Sequence, residues 1–171
     1  MDTDLAIASR RDERRYAATA IPGEVVDRIL DAGRLAGSSR NGQPWTFVVP
    51  SGLERIEQLA ATVYVPENVT SAGLVVALVV RGGGSATFDA GRAAQNMLLA
   101  AWNEGLASCP NGVADQETAR AILMAGDEER VAIVLSFGVP EKPRDPEARS
   151  VSEWSERANR RPLEELVRSL P

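Results

Sequence analysis

The chain has 171 residues, of which 44% are hydrophobic and 25% charged, enough for one domain with a real hydrophobic core. It has a single cysteine, Cys109, and no histidine, which excludes an intrachain disulfide, zinc sites of Cys and His, and histidine-based hydrolase triads. The net charge of −5 argues against non-specific nucleic-acid binding, and any enzymatic chemistry would then depend on a cofactor.

The apolar runs of the chain are short. The longest covers residues 74–80, the size of a strand and well below the roughly 18 residues that a transmembrane helix needs. The N-terminus carries acidic residues without a following apolar segment, so we predict no secretory signal and a cytoplasmic location.

Hydrophobic spacing and turn residues predict the secondary structure in chain order. Apolar residues at helical spacing predict helices at 3–9, from 21–24 to about 37–39, at 51–62, 88–104 and 116–124. Short runs of β-forming or apolar residues predict strands at 45–49, 74–80 and 131–137, with 63–73 as a loop. The strand at 74–80 is apolar throughout, which indicates burial on both faces.

The helix predicted at 88–104 is the longest, and it leaves little polar surface. A helix that is apolar on nearly all sides lies in the core or at a subunit interface. Gly105 is placed to end this helix, and Asp115 can cap the helix at 116–124.

The tail from residue 139 onward cannot be one long helix, because it carries Pro140, Pro143, Pro146, Pro162 and Pro171. Its last part has apolar residues at 163, 166, 167 and 170, so it can dock on another surface. That surface is either a partner subunit or the chain's own domain.

Two clusters of arginines in this acidic chain suggest anion sites. One lies near the start and the other near the end of the chain, and their members are Arg10, Arg11, Arg14 and Arg15, and Arg157, Arg160 and Arg161. On a helix end or turn, residues 10 and 14 can converge on one anion, and the guanidinium fork matches phosphate oxygens. The alternative is a solvated helix face.

Two other segments carry groups suited to a planar heterocycle. The segment 37–45 (GSSRNGQPW) offers hydroxyls, amides and backbone N–H groups between a helix and a strand. In the segment 105–113 (GLASCPNGV), Pro110 can pack flat on a ring, and the backbone N–H groups of 111–113 can donate to a ring nitrogen. Each segment alone is also compatible with an ordinary connecting loop.

In content and order these segments resemble the FMN-binding nitroreductase family. The resemblance covers residues 5–168 and rests on RRDERRY at 10–16, GSSRNGQPW at 37–45, DAGRAAQN at 89–96, GLASCP at 105–110 and RRPLEELV at 160–167. Asp12 stands where the family usually has Ser, and Gly37 where it usually has Pro. The chain is also shorter than many members between the second and third motifs, where lids over the flavin often occur.

The resemblance implies an α+β, three-layer fold, with a central mixed sheet flanked by helices and a C-terminal arm exchanged in a homodimer. It implies one FMN-binding domain over residues 1–171, with NADH or NADPH as co-substrate and a small organic acceptor such as a nitroaromatic or quinone. The chemistry takes place on the flavin, so no protein residue is expected to act as a catalytic group.

The resemblance also assigns the cofactor contacts, across the dimer interface. They are Arg10, Arg11 and Arg14 at the phosphate and ribityl chain, Arg160 and Arg161 at the phosphate, Ser38, Ser39 and Asn41 from the other subunit, Pro110 behind the ring, and Asn111 and Gly112 near its N5 edge.

Three other functions stay open at this point. The chain could bind or store flavin without turnover, or it could be a deazaflavin-linked or specialised tailoring reductase on the same fold. It could also be a nucleotide-binding regulator that uses the same arginines.

Overall fold

A computed structural model of the chain describes residues 1–142 and 145–170, so that Pro143 and Pro171 of the tail lie outside the described residues. The described residues fall into two compact units. The smaller contains Met1–Arg10 with the described part of 144–171, and the larger contains the described part of 11–143.

The described helices follow the hydrophobic periodicity. In chain order they are α1 (Thr3–Ser9), α2 (Gly23–Arg34), α3 (Leu53–Ala60), α4 (Glu67–Thr70), α5 (Ser85–Asn103), α6 (Gln116–Ile122), α7 (Val151–Arg157) and α8 (Leu163–Leu166). Short 3₁₀ turns occur at Ser39–Asn41 and Pro146–Ala148. The Asp115 side chain accepts a hydrogen bond from the backbone N–H of Thr118, which confirms the predicted cap of α6.

The larger unit is built on a four-stranded sheet. Its strands are β1 (Trp45–Val48), β2 (Leu74–Arg81), β3 (Ala107–Asn111) and β4 (Glu129–Gly138), in the order β1-β2-β4-β3. Every neighbouring pair is antiparallel, so the α+β class is confirmed while the expected mixed sheet is wrong for the described strands. The reason lies in the strand order, because β4 inserts between β2 and β3 and runs opposite to both.

Helices cover both faces of the sheet, as the three-layer prediction requires. Val76, Leu78 and Val80 of β2 face α2 and α5, whereas the alternating Val75 and Val79 face α3, α4 and α6. All of these side chains are at most 2% exposed, which confirms that β2 is buried on both faces. Each fully buried Val or Leu stabilises the fold by roughly 1.5–3 kcal/mol.

Helix α5 is the longest helix and is mostly buried against the sheet. It ends where expected, because Gly105 has a φ of 76°, a left-handed conformation that glycine adopts without strain. It is not apolar on all sides, since Phe88, Gly91, Arg92 and Gln95 form an exposed face. Among the described residues, no helix has both the length and the apolar character to cross a membrane.

Two segments differ from the prediction. Residues 63–73, expected to be a loop, contain α4, and Val63 forms an isolated bridge with Val113. Residues 105–113, expected to be a turn, contain β3, which pairs with β4 from Ala107 to Asn111. Pro110 is tolerated there because β3 is an edge strand, so one side of its backbone has no strand partner in the sheet.

In the smaller unit, α1 and α7 are in contact. Trp154 of α7 is 5% exposed, and its indole N–H donates to the carbonyl of Pro146 at 2.8 Å. The guanidinium of Arg149 lies 4.9 Å from the centre of the same ring. Ser150 and Glu153 form a reciprocal capping box at the start of α7.

The C-terminal residues of the smaller unit leave their apolar side chains exposed. The four side chains expected to dock are each more than half exposed: Leu163, Leu166, Val167 and Leu170. Docking of this arm, on a partner or on its own chain, therefore stays a prediction.

Candidate functional site

The arginine-rich segment of the larger unit runs along the edge strand β3. Asp12 forms a parallel bridge with Ser108, and the backbone N–H of Glu13 donates to the carbonyl of Ser108 at 3.1 Å. The arginine-rich segment thus lies beside the segment 105–113, two residues before Pro110. Asp12, which departs from the family pattern, is part of the backbone pairing that holds this arrangement.

The predicted arginines near the start of the chain differ in exposure, and Arg10 belongs to the smaller unit whereas Arg11 and Arg14 belong to the larger one. Arg10 and Arg11 are half-buried, whereas Arg14 is exposed and has no hydrogen bond or ion pair with any described residue. Helix α1 ends at Ser9, and Arg10 has an extended backbone with φ −60° and ψ 135°. Residues 10–14 therefore do not continue helix α1, and convergence of Arg10 and Arg14 on one anion stays a prediction.

The side chain of Asn111 points into the protein. Its Nδ2 donates to the carbonyls of Cys109 and Val134 at 3.1 and 3.2 Å and to Ser136 Oγ at 3.1 Å. Its Oδ1 accepts from Asn68 Nδ2 at 3.0 Å. The side-chain amide is therefore fully used inside the fold, and the backbone of Asn111 pairs with Val134 of β4.

A buried chain of hydrogen bonds continues from Asn111 towards the arginine-rich segment. Ser136 Oγ lies 3.0 Å from the hydroxyl of Tyr16, which also donates to the carbonyl of Glu13 at 2.9 Å. Burial raises the pKa of Tyr16 to about 12, an effect that the hydrogen bond with Ser136 partly offsets. We call Tyr16, Ser136, Asn111 and Asn68 the polar chain. It joins the arginine-rich segment, which runs beside β3, to Asn111 at the end of that strand.

Gly112 follows β3 and carries an aromatic neighbour. Its carbonyl accepts from the backbone N–H of Tyr64 at 3.2 Å, and a Cβ at Gly112 would lie 3.2 Å from the Tyr64 ring. The Tyr64 side chain is 75% exposed. Within the described part of the chain, the N–H of Gly112 has no hydrogen-bond acceptor, so it is available to a ligand.

The turn before β1 has a strained backbone. Arg40, Asn41 and Gln43 have φ values of 52°, 55° and 45°, a conformation that costs non-glycine residues roughly 1–2 kcal/mol each and Asn less. The N–H of Gln43 donates to Ser38 Oγ at 2.9 Å. The Ser39 hydroxyl and the Asn41 side-chain amide have no partner among the described residues.

The sheet order separates the predicted site residues into two groups. The arginine-rich segment and Pro110–Gly112 lie at β3, whereas the Ser38–Asn41 turn leads into β1 at the opposite edge. Strands are spaced about 4.8 Å apart, so three intervals place β1 and β3 about 14 Å apart. Arg160 and Arg161 belong to the smaller unit, and both are exposed.

The sequence profile of the nitroreductase family matches residues 7–77 and 81–139. The chain belongs to the nitroreductase family. A protein of Methanothermobacter thermautotrophicus, provisionally named an NADH dehydrogenase/NAD(P)H nitroreductase, is 31% identical over 118 residues, which cover 66% of this chain and 62% of that protein. The alignment thus spans less than two thirds of that relative's length.

Solved structures of other nitroreductases share this fold. A nitroreductase family protein from Clostridium difficile 630 superposes with a TM-score of 0.80 and 21% identity, covering 98% of both chains. An FMN-dependent nitroreductase from C. difficile R20291 gives a TM-score of 0.76 and 22% identity, covering 86% of this chain and 95% of that one. The nitroreductase-like fold is therefore confirmed.

Several residues around the site of this nitroreductase were not predicted as part of it. Asn68 and Tyr64 lie in the segment expected to be a loop, and no local pattern links them to β3. Asp89 of α5 accepts a hydrogen bond from the backbone N–H of Ser39, 50 residues earlier. For Asp89 the sequence does carry a signal, because an acid on the apolar face of a helix needs a partner.

Proposed function

We propose that this nitroreductase is an FMN-dependent enzyme that takes hydride from NADH or NADPH and reduces an organic acceptor such as a nitroaromatic or quinone. The observation that carries the proposal is the pairing of Asp12 with Ser108, which lays an arginine-rich segment beside Pro110 and Gly112. The names of its relatives support the same chemistry, since one includes NAD(P)H and another FMN.

Several polar groups that have no hydrogen-bond partner among the described residues fit FMN. Arg14 offers an exposed guanidinium for a phosphate, and the free N–H of Gly112 can donate to a ring nitrogen. The half-buried ring of Pro110 offers an apolar surface for a flat heterocycle. Ser39 and Asn41 supply a hydroxyl and an amide that no described residue uses.

The protein residues would bind and orient, while bound FMN would supply the hydride-accepting ring. A backbone N–H at Gly112 would stabilise negative charge on the ring atom that it faces. The polar chain would keep the N–H of Gly112 in place, because it holds the neighbouring residue Asn111 through buried groups that are each hydrogen-bonded. No protein acid or base near neutral pH is required, which is consistent with the absence of histidine.

We also propose that the enzyme is a homodimer with composite sites. The Ser38–Asn41 turn and Gly112 lie at opposite edges of the sheet, so one chain does not bring them to one ring. A second copy could present its turn to the β3 edge of the first. Exposed Phe88 of α5 and the exposed apolar residues of the C-terminal arm supply apolar surface for such an assembly.

Cofactor binding and turnover test the proposed activity. Purified protein should take up FMN, seen as a visible flavin spectrum and as quenching of flavin fluorescence. The loaded protein should then oxidise NADH or NADPH when a quinone or nitroaromatic is added. Failure to bind FMN refutes the proposal. Tight FMN binding without turnover would support a storage protein instead, and turnover with a deazaflavin alone would support a deazaflavin-linked reductase.

Complementation tests the composite site. An Arg14→Ala chain and an Asn41→Ala chain should each bind FMN weakly. In a composite dimer, a mixed pair carries both lesions at one site and none at the other. A statistical mixture should therefore recover about a quarter of the wild-type sites. If each site lies within one chain, mixing restores nothing.

The role that the family resemblance gives to Arg160 and Arg161 stays a proposal, because the two residues belong to the smaller unit. Replacing both by alanine should weaken FMN retention if they meet the phosphate. Arg168→Ala is the matched control, since it removes an exposed arginine from the same tail. Equal affinities in the two variants would mean that residues 160 and 161 are only surface charge.

A further inference from the structure

A buried carboxylate of α5 holds the strained turn before β1. Asp89 is 3% exposed, and its Oδ2 accepts the backbone N–H of Ser39 at 2.9 Å. A buried charge is costly unless it is hydrogen-bonded or paired, so this contact favours one position of the turn relative to the helix. The donor is the backbone N–H of Ser39 itself, whose hydroxyl has no partner among the described residues.

Arg92, a second residue of α5, lies close to both Asp89 and the turn. Arg92 Nη1 lies 3.8 Å from Asp89 Oδ1, one helical turn along. The Arg92 guanidinium also lies against the backbone of Gly37, where an added Cβ would be 2.5 Å from Nη2 and 3.2 Å from Cζ. Glycine is therefore the residue that leaves room for the guanidinium at this point of the turn.

We propose that Asp89 and Arg92 are positioning residues that clamp residues 37–41, and that position 37 is glycine to admit Arg92. The proposal rests on the proposed function, in which Ser39 and Asn41 contact FMN held by a second copy of the chain. It also explains the departure of Gly37 from the usual proline. A proline fixes a turn through its own ring, whereas here the neighbouring helix does so.

Gly37→Ala is the sharpest probe of the clamp. The atom that a Cβ would meet is the far end of a flexible side chain, so Arg92 should swing away while the fold persists. The FMN dissociation constant should rise about two- to fivefold, the effect of losing one partly exposed ion pair between Arg92 and Asp89. Gly23→Ala is the matched control, because a Cβ there meets nothing within 4 Å and FMN affinity should not change.

Arg92→Ala should weaken FMN binding as much as Gly37→Ala does, and the double variant should be no worse than either single one. Such non-additivity is the signature of two residues that act through one contact. Additive losses, or unchanged affinity in both single variants, would overturn the pairing. Asp89→Asn keeps an oxygen that can accept from Ser39, so it should retain more affinity than Asp89→Ala. Equal losses would contradict the hydrogen bond's role.

Hydrogen exchange on the cofactor-free protein separates this proposal from the proposed function. The amide of Ser39 should exchange about tenfold faster in Asp89→Ala than in wild type, while amides of β2 stay protected. Unchanged exchange at Ser39 would overturn the clamp whether or not FMN binds. If the wild-type protein binds no FMN, but the amide of Ser39 still exchanges faster in Asp89→Ala than in wild type, the proposed function is refuted and the clamp stands.

Discussion

Removing the hydroxyl of Tyr16 tests the polar chain. The side chain is 7% exposed, and its hydroxyl lies 2.9 Å from the carbonyl of Glu13 and 3.0 Å from Ser136 Oγ. Tyr16→Phe leaves these buried groups with one partner fewer. Since an unsatisfied buried polar group costs about 1–3 kcal/mol, we expect the free energy of unfolding at neutral pH to fall by that amount.

The same hydroxyl predicts how stability changes in alkali. Burial raises the pKa of Tyr16 from 10.0 to about 12, so the neutral form favours the folded state. Its contribution is complete below pH 10.0 and is lost as the pH rises towards about 12. A shift of two pKa units corresponds to about 2.7 kcal/mol of unfolding free energy. Tyr16→Phe has no such group, so its stability should fall less over this range.

Urea unfolding followed by tryptophan fluorescence measures both effects. The difference between wild type and Tyr16→Phe should be largest near neutral pH and should shrink in alkali. A constant difference across the alkaline range would refute the assignment of the raised pKa to burial of Tyr16. Tyr64→Phe is a useful background, because the chain has two tyrosines and the tyrosinate absorbance then reports Tyr16 alone.

Three further predictions concern local structure. Asn111→Ala removes a buried amide whose two N–H groups lie near three acceptors, so it should destabilise the fold by about 1–3 kcal/mol in urea unfolding and weaken FMN binding. A loss of stability without any loss of affinity would separate the polar chain from the site. Gly105→Ala should cost about 1 kcal/mol because of its positive φ, whereas Gly91→Ala inside α5 should stabilise by about 0.5–1 kcal/mol in the same assay. Asp115→Ala should lower the melting temperature near neutral pH and have less effect in acid. Hydrogen bonds from Thr118 lower the pKa of the Asp115 carboxyl, so its contribution to stability is lost as the pH falls. An equal effect at both pH values would contradict the cap.

The family and most of the helices and strands could be predicted from the sequence. Apolar residues at helical spacing predicted α2, α5 and α6, and a continuous apolar run predicted β2, because burial periodicity is written locally in the chain. The motifs also identified the segments that the structure places at β3 and before β1. The periodicity that predicts helices and strands is local, and the family resemblance depends on the order of local motifs along the chain.

The conformation and contacts of those segments depend on pairing between distant parts of the chain. β3 was missed because Ser108, Pro110 and Asn111 are poor strand formers, and the strand exists through its pairing with β4. The side-chain amide of Asn111 binds buried partners that lie far away in sequence, which the local motif does not show. The contact between Ser39 and Asp89 spans 50 residues. No local pattern encodes such pairs, because their energy depends on which groups the folded chain buries together.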